Sequence, residues 1–371
     1  MRKFSERLAV FFDERIFDHD TDHGFFDGNA SPYLPVAERH PENAERVRNM
    51  HGILANGPIK DHIDWHDAPV ASEAAMGLFH DDAYLKELAA LAADRKHWCT
   101  STTPFGPGSY DAVRVSAGLA VGAAEHVWLG KGKIAYALCR PPGHHAQPAR
   151  TDGYCFVNNI GVAIEVLRAK GLRRAAVIDW DVHHGNGTQA GFYADPDILT
   201  ISMHMDHGAW GDSHPQTGAA DEVGIDAGKG ANLNIPLPYG SGDSAHFRAF
   251  DEIITPAVQA FRPQVLVVAA GQDANQFDPN GRQNVTMAGF HGLGLRARKL
   301  AAELTDGKLV LVQEGGYSIS YAAYCLHATL EGVLGLRSSL DDPIAFLPDH
   351  THGLEAALRE ILETRRSVLE L

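Results

Sequence analysis

The sequence is short of cysteine and of long apolar runs. Its four cysteines, Cys99, Cys139, Cys155 and Cys325, are scattered and form no Cys-x-x-Cys pair. That argues against a disulfide framework and against a thiolate zinc site, leaving reduced, mostly buried thiols as the expectation. No stretch stays apolar long enough to span a bilayer, so no membrane partner is expected. The start MRKFSERLAVFFDERIF is basic, but its apolar run is broken at Asp13, Glu14 and Arg15. A signal peptide is therefore not expected, and a cytoplasmic location is. Basic residues are outnumbered: 32 Lys and Arg against 47 Asp and Glu give a formal charge of -15. Such a surface repels phosphates, so nucleic acid is not expected as a partner. It is compatible with cationic substrates, although solubility alone explains it. Repeats, low-complexity tracts and Pro/Gly-rich linkers are also lacking, so the 371 residues read as one domain, 1–371.

What is present is an alternation of apolar runs and helix-like segments. Leu8–Phe12, Lys133–Cys139, Ala175–Asp179, Ile198–Ser202, Gln264–Ala270 and Lys308–Gln313 read as buried strands. Their near-continuous hydrophobicity suits a mainly parallel sheet covered on both faces. Helix-like segments lie at roughly Ala44–Ala55, Ser109–Leu129, Asn159–Lys170, Ser244–Phe261, Met287–Thr305 and Ser320–Leu336. The expected fold is α/β, a single domain with a central sheet flanked by helices and an active site at the carboxyl ends of the strands. Two long segments, His19–Arg39 and Met205–Lys229, lack periodicity and are rich in Asp, His and Gly. Long structureless loops in a compact domain are often functional.

The 21 histidines cluster in short polar motifs beside Gly and Asp. The most informative run is Val177-Ile178-Asp179-Trp180-Asp181-Val182-His183-His184-Gly185-Asn186-Gly187. Alternation along a strand puts Asp179, Asp181 and His183 on one side. Burying two carboxylates with an imidazole is costly without a neutralising cation, and the segment offers no Lys or Arg. A salt-bridged loop is the competing explanation. Val265–Gly271 is followed by Gln272-Asp273, making Asp273 the natural third ligand. Asp181, His183 and Asp273 would form a three-ligand site with a position open for water, as in catalytic centres. One divalent ion, zinc first, with iron or cobalt also admissible, is expected. An arginase-like pair of metals would need D-x-H-x-D and D-x-D segments. Here those positions read Asp181-Val182-His183-His184-Gly185 and Asp273-Ala274-Asn275, without the extra carboxylates.

Cys139-Arg140-Pro141-Pro142-Gly143-His144-His145-Ala146 follows another strand. Its Pro-Pro-Gly supplies a rigid turn, and two imidazoles near a metal suit general acid–base work. A pair of structural histidines is the alternative. Glu314-Gly315-Gly316-Tyr317 follows the last strand. Its glycines permit a sharp turn and close approach, and Tyr317 could then donate to a developing oxyanion.

Together these motifs resemble the arginase/deacetylase superfamily, specifically class II histone deacetylase-like amidohydrolases. The resemblance runs from about His40-Pro41-Glu42 to about Leu336 and includes RPPGHHA, GYCFVNN, DWDVHHGNGTQ, ISMH, NIPLP, the aspartate after AAG, and QEGGY. It implies a zinc-dependent deacetylase or deacylase acting on acyl-lysine or small N-acyl amines, with Asp181, His183 and Asp273 as zinc ligands. It further implies His145 as general base, oriented by Asn186, with His144 as its electrostatic partner, oriented by Asp179, and Tyr317 polarising the acyl carbonyl. Tyr154, Gly153, Gly315 and some residue in Met205–Trp210 would wall the acyl tunnel. A structural potassium ion is implied near Asp179, Asp181, His183, Ser202 and Met203.

Gln272, where many relatives have an apolar residue, is expected to alter the site wall. The His19–Arg39 loop is a candidate lid, or the contact of a homo-oligomer. The polyamine-selective class II relative carries a glutamate after an Asp-Pro pair; here the segment is Asp278-Pro279-Asn280, so a dedicated acetylpolyamine hydrolase is not expected. The acidic loop with Asp18, Asp20, Asp22 and Asp27 could substitute for that glutamate. An arginase-like ureohydrolase and a non-catalytic ligand-binding protein on the same fold remain the alternatives.

Overall fold

The computed structural model describes residues 7–91, 97–206, 217–344 and 354–369. Its centre is an eight-stranded sheet. In chain order the strands are β1 (Leu8–Phe11), β2 (Ile63–His66), β3 (Ile134–Ala137), β4 (Ala175–Asp179), β5 (Ile198–Met205), β6 (Asn232–Leu237), β7 (Val265–Ala269) and β8 (Leu309–Val312). Across the sheet they run β6-β5-β4-β7-β8-β3-β1-β2, and every pairing is parallel. The inner strands β4 (AAVID), β7 (VLVVA) and β8 (LVLV) are buried throughout. Their Val, Leu and Ile side chains meet helices on both faces, each contributing about 1.5–3 kcal/mol when fully buried.

The two strands that periodicity does not announce, β2 and β6, are the sheet edges. β2 (IDWH) is mostly polar, and β6 (NLNIPL) carries two asparagines and Pro236. β2 is only partly buried, whereas β6 is buried at five of its six residues and its asparagines both donate to the Gln189 side-chain oxygen. Proline is tolerated at an edge because one side needs no ladder bond. The segment expected as one helix over Ser244–Phe261 is divided. It runs as α-helix over Asp243–Ala249, π-helix over Phe250–Ile254 and α-helix over Thr255–Phe261. Pro256 lacks the amide hydrogen that would continue an unbroken α ladder, and the π turn absorbs the interruption. The helices Ala44–Asn56, Ser109–Trp128, Asn159–Ala169, Met287–Leu304 and Tyr321–Leu334 lie within a residue or two of their expected bounds. Among the described residues, no helix is long and apolar enough to cross a membrane.

The topology sets the site. From β4 the chain moves outward to β5 and β6, whereas from β7 it moves the opposite way to β8, so the connections part between neighbouring β4 and β7. A crevice opens at the carboxyl ends where such connections diverge. The ends are level there: Ala269 of β7 pairs with Asp179 of β4 and with Val312 of β8, and Val312 pairs with Ala137 of β3. Whatever follows these four strands is therefore brought to one place. The 19–39 segment is tied by a short antiparallel pair, His23–Gly24 with Glu38–Arg39. Part of the Met205–Lys229 segment, including residues 207–210 expected at the tunnel, lies outside the described residues.

Candidate active site

Asp181 and His183 follow β4, Asp273 follows β7, and one ligand atom from each lies within 4.8 Å of the others. His183 Nδ1 is 3.1 Å from Asp181 Oδ1 and 3.1 Å from Asp273 Oδ2. Tetrahedral donors about 2.0–2.1 Å from a zinc ion lie roughly 3.3 Å apart, so the spacing fits such an ion. Both carboxylates are wholly buried. Their remaining oxygens are fixed by backbone: the Gly315 amide donates to Asp181 Oδ2 at 2.7 Å and the Val182 amide to Asp273 Oδ1 at 2.8 Å. Gly315 is obligatory here, because a Cβ would sit 2.1 Å from Asp273 Oδ2. It backs the carboxylates and does not stand on the cavity wall where the tunnel was expected.

The protein alone balances this cluster with protons. Burial, then the Asp181 charge, pushes Asp273 up to about 8. Burial opposes charge on His183, but Asp181 and Asp273 outweigh it and hold the imidazole up to about 10. A buried set that gathers protons in this way is one that a cation can take over by displacing them. Asp179 is not one of the three clustered ligands; its Oδ2 lies 2.9 Å from His144 Nδ1, the partner expected of it, and its Oδ1 accepts from the Asp181 amide at 3.0 Å. It pairs across the sheet with Ser202, whose hydroxyl also meets His184 Nδ1 at 3.2 Å. Met203 is buried next to it on β5.

His144 and His145 follow β3. Glu314, after β8, accepts from the Gly143 amide at 2.7 Å and the His144 amide at 3.0 Å, locking the Pro-Pro-Gly-His-His turn to the Glu-Gly-Gly-Tyr turn. The two imidazoles differ in character. Burial opposes charge on His144, but Asp181 and Asp179 outweigh it and hold this imidazolium well above the usual histidine value. Burial, then the His144 and His183 charges, holds His145 well below it, so His145 is neutral. Its Nδ1 lies 2.6 Å from Asn186 Oδ1, and Asn186 opens the short helix Asn186–Phe192.

A cavity of about 230 Å³ reaches these groups, lined in part by His145, His183, Gly153, Tyr154, Asn186 and Tyr317. Gly153 and Tyr154 are the central residues of a tight turn from Asp152 to Cys155, with φ of 49° and 69°. Both angles are left-handed, as a type I′ turn requires. Glycine is needed at 153 for a second reason, since a Cβ would lie 2.3 Å from His145 Cδ2. The Tyr154 ring stands edge-on to Tyr317 at 5.6 Å. Its hydroxyl donates to Asp27 at 2.8 Å and accepts from Asn280 Nδ2 at 3.1 Å. The 19–39 loop thus places Phe26 and Asp27 on the cavity wall. Gln272 does not reach that wall; it is wholly buried, and its Oε1 accepts from Gln313 Nε2 at 2.8 Å. Burial holds the Tyr317 phenol well above the usual value, so it is a donor at neutral pH. The Arg46 guanidinium lies 5.2 Å from its ring centroid and donates to the Glu314 carbonyl at 3.0 Å.

Sequence reading missed the roles of Glu314, Asp278, Arg46 and Asp152, which act on the cavity residues through hydrogen bonds or ring contacts between distant segments. Only Glu314, in the QEGGY motif, and Asp278, in the Asp-Pro-Asn segment, fell in motifs singled out for other reasons.

Comparison with known proteins places the chain in a family. Residues 40–333 match the histone deacetylase domain. The chain is 46% identical to histone deacetylase 8 of Arabidopsis thaliana, over 96% of each chain. It is 40% identical to a histone deacetylase-like amidohydrolase of Pseudomonas aeruginosa, covering 92% of this chain and 89% of that one. The crystal structure of the HDA15 HD domain superposes with a TM-score of 0.83 at 30% identity, covering 99% of this chain and 96% of that one. With the domain match spanning seven of the eight strands, all but β1, and both the Pro-Pro-Gly-His-His and Glu-Gly-Gly-Tyr turns, the chain belongs to the histone deacetylase family, within the arginase/deacetylase superfamily.

Proposed function

We propose that this protein is a zinc-dependent amidohydrolase that removes an acyl group from the nitrogen of an acyl-lysine or a small N-acyl amine. The observation that carries the reading is the meeting, on one cavity wall, of His183 from the Asp181–His183–Asp273 cluster, a neutral His145 and the Tyr317 phenol. Asp181, His183 and Asp273 would hold the divalent cation, which when bound supplies Lewis-acid activation of a water and of the acyl carbonyl.

The chain's own residues do the rest. Neutral His145, its ring set by Asn186, takes a proton from the attacking water and returns one to the departing amine, which leaves poorly as an anion. His144, charged and anchored on Asp179, supplies a fixed positive field beside it; the two ring centroids are 4.0 Å apart. Tyr317 donates to the oxygen of the tetrahedral intermediate, where charge develops. Tyr154 and Phe26 give the acyl chain an apolar wall. Asp179 and Ser202, paired across β4 and β5, are among the residues that would hold a structural potassium ion.

An arginase-like reading is less well supported. Asn275 stands where a second metal would need a carboxylate, and its amide is spent on the Gln272 carbonyl at 2.6 Å and the Ser318 hydroxyl at 2.9 Å. Turnover of a panel of N-acyl amines, with the acyl and amine parts varied independently, tests the proposal. Amine release that stops on chelation and returns with zinc supports it; release of urea from guanidino compounds contradicts it.

A further inference from the structure

His145 can serve as a base toward the cavity only if its proton sits on Nδ1, leaving the Nε2 lone pair free. Nothing in an imidazole fixes that choice. Its partner is Asn186 Oδ1, 2.6 Å from Nδ1. An amide is equally ambiguous, because rotating it by half a turn puts an NH2 where the oxygen was. That NH2 would stabilise the opposite tautomer, with Nε2 protonated and unable to accept a proton. The base therefore needs something that holds the amide.

Asp152 is placed to do so. Its Oδ2 lies 3.0 Å from Asn186 Nδ2. A carboxylate only accepts hydrogen bonds, so the NH2 must face Asp152 and the oxygen must face His145. Asp152 is 2% exposed and Asn186 7%, so water cannot readily replace either partner. The backbone that carries the carboxylate is fixed by hydrogen bonds. Asp152 begins the tight turn that Gly153 and Tyr154 complete, closed by Asp152 N to Cys155 O at 3.1 Å and Cys155 N to Asp152 O at 2.7 Å. The same turn packs Gly153 against the His145 ring.

We propose that Asp152 is a positioning residue that selects the Nδ1-protonated tautomer of His145 by fixing the orientation of the Asn186 amide. This rests on the reading of His145 as the base. It predicts a relay in which chemical complementarity, not the identity of any one residue, matters. Asp152→Asn offers Asn186 both a donor and an acceptor, so both amide orientations become available. Asn186→Asp alone sets two carboxylates against each other with no donor between them. The exchange Asn186→Asp with Asp152→Asn restores the pattern, since the new carboxylate accepts from His145 Nδ1 and from the new amide.

The test combines kinetics of the zinc-loaded protein with 15N NMR of its histidine side chains. Wild type should show His145 with a protonated Nδ1 and a bare Nε2. Asp152→Asn should show both tautomers, and its kcat should fall about twofold or more, in step with the fraction of Nδ1-protonated His145 lost, with KM nearly unchanged. The exchanged pair should be at least about tenfold more active than Asn186→Asp alone, far from additivity. A single wild-type tautomer and wild-type kcat in Asp152→Asn, or strictly additive losses in the exchanged pair, overturns the proposal. The NMR arm reads the tautomer whether or not turnover is found. Absence of turnover in wild type would therefore count against the catalytic reading and not against the relay.

Discussion

The Asp278 carboxylate accepts from the Tyr317 amide at 2.7 Å and from the Ser318 amide at 3.1 Å, so the loop after β7 aims the tyrosine that follows β8. Tyr317→Phe should fold normally and lose about a hundredfold or more in kcat, with a smaller change in KM, because the hydroxyl acts chiefly in the transition state. Asp278→Ala should move kcat in the same direction but less. It should also lower stability by about 1–3 kcal/mol, since buried amides lose their acceptor. Steady-state kinetics with thermal unfolding separates the two. A near-wild-type kcat for Tyr317→Phe removes the phenol from the chemistry.

His145→Ala should be far more damaging than Cys155→Ala. Cys155 lies close by, its sulfur 3.4 Å from the Gly153 carbonyl, but burial holds its thiol well above the usual range and keeps it un-ionised. Parallel kcat/KM measurements decide this. A larger loss at Cys155 would point to a thiol nucleophile instead.

Zinc binding should release protons. With Asp273 held up to about 8 and His183 up to about 10 in the protein alone, both are protonated at pH 7 and the ion must displace both protons. Apparent affinity should therefore rise with pH, steeply up to about 8 and less steeply to about 10, then level off. Calorimetry in two buffers of different ionisation heat should report close to two protons released per ion at pH 7. Affinity independent of pH would show that other groups bind the metal.

Much of this arrangement was legible in the sequence because strand ends carry their own signals. A buried apolar run that stops at Asp179, or at Gly271-Gln272-Asp273, marks where charge emerges from the sheet. The edge strands β2 and β6 were not legible, because Asp64, His66 and two asparagines break the apolar run that marks inner strands. Nor was the helix Asn186–Phe192, whose NGTQAGF composition is a poor helix former and is held by tertiary contacts, including the Gly187 and Thr188 amides on the His144 carbonyl. Asp152 gave no signal, since its role depends on a turn with a tyrosine at positive φ, which sequence pattern does not anticipate.

Substrate charge should matter only modestly. Asn280 is neutral and donates its amide NH2 to the Tyr154 hydroxyl, so it offers a remote ammonium at most a neutral carbonyl acceptor and no opposite charge. Asp27 is the acidic loop residue that reaches the cavity wall, and it already accepts from the Tyr154 hydroxyl. The kcat/KM preference for acetylspermidine or acetylputrescine over uncharged N-acetyl amides should stay below about a hundredfold, or about 2.7 kcal/mol. A larger preference that disappears in Asp27→Asn would transfer cation selection to the 19–39 loop.

The most direct test is metal content and amide hydrolysis measured on one sample. The protein should bind one tightly held catalytic divalent ion per chain and hydrolyse at least one N-acyl amine in proportion to its zinc occupancy, with activity abolished by chelation and restored by zinc. Two tightly bound catalytic metals per chain, or amide hydrolysis that persists after the metal is removed, would contradict a one-metal amidohydrolase built on Asp181, His183 and Asp273.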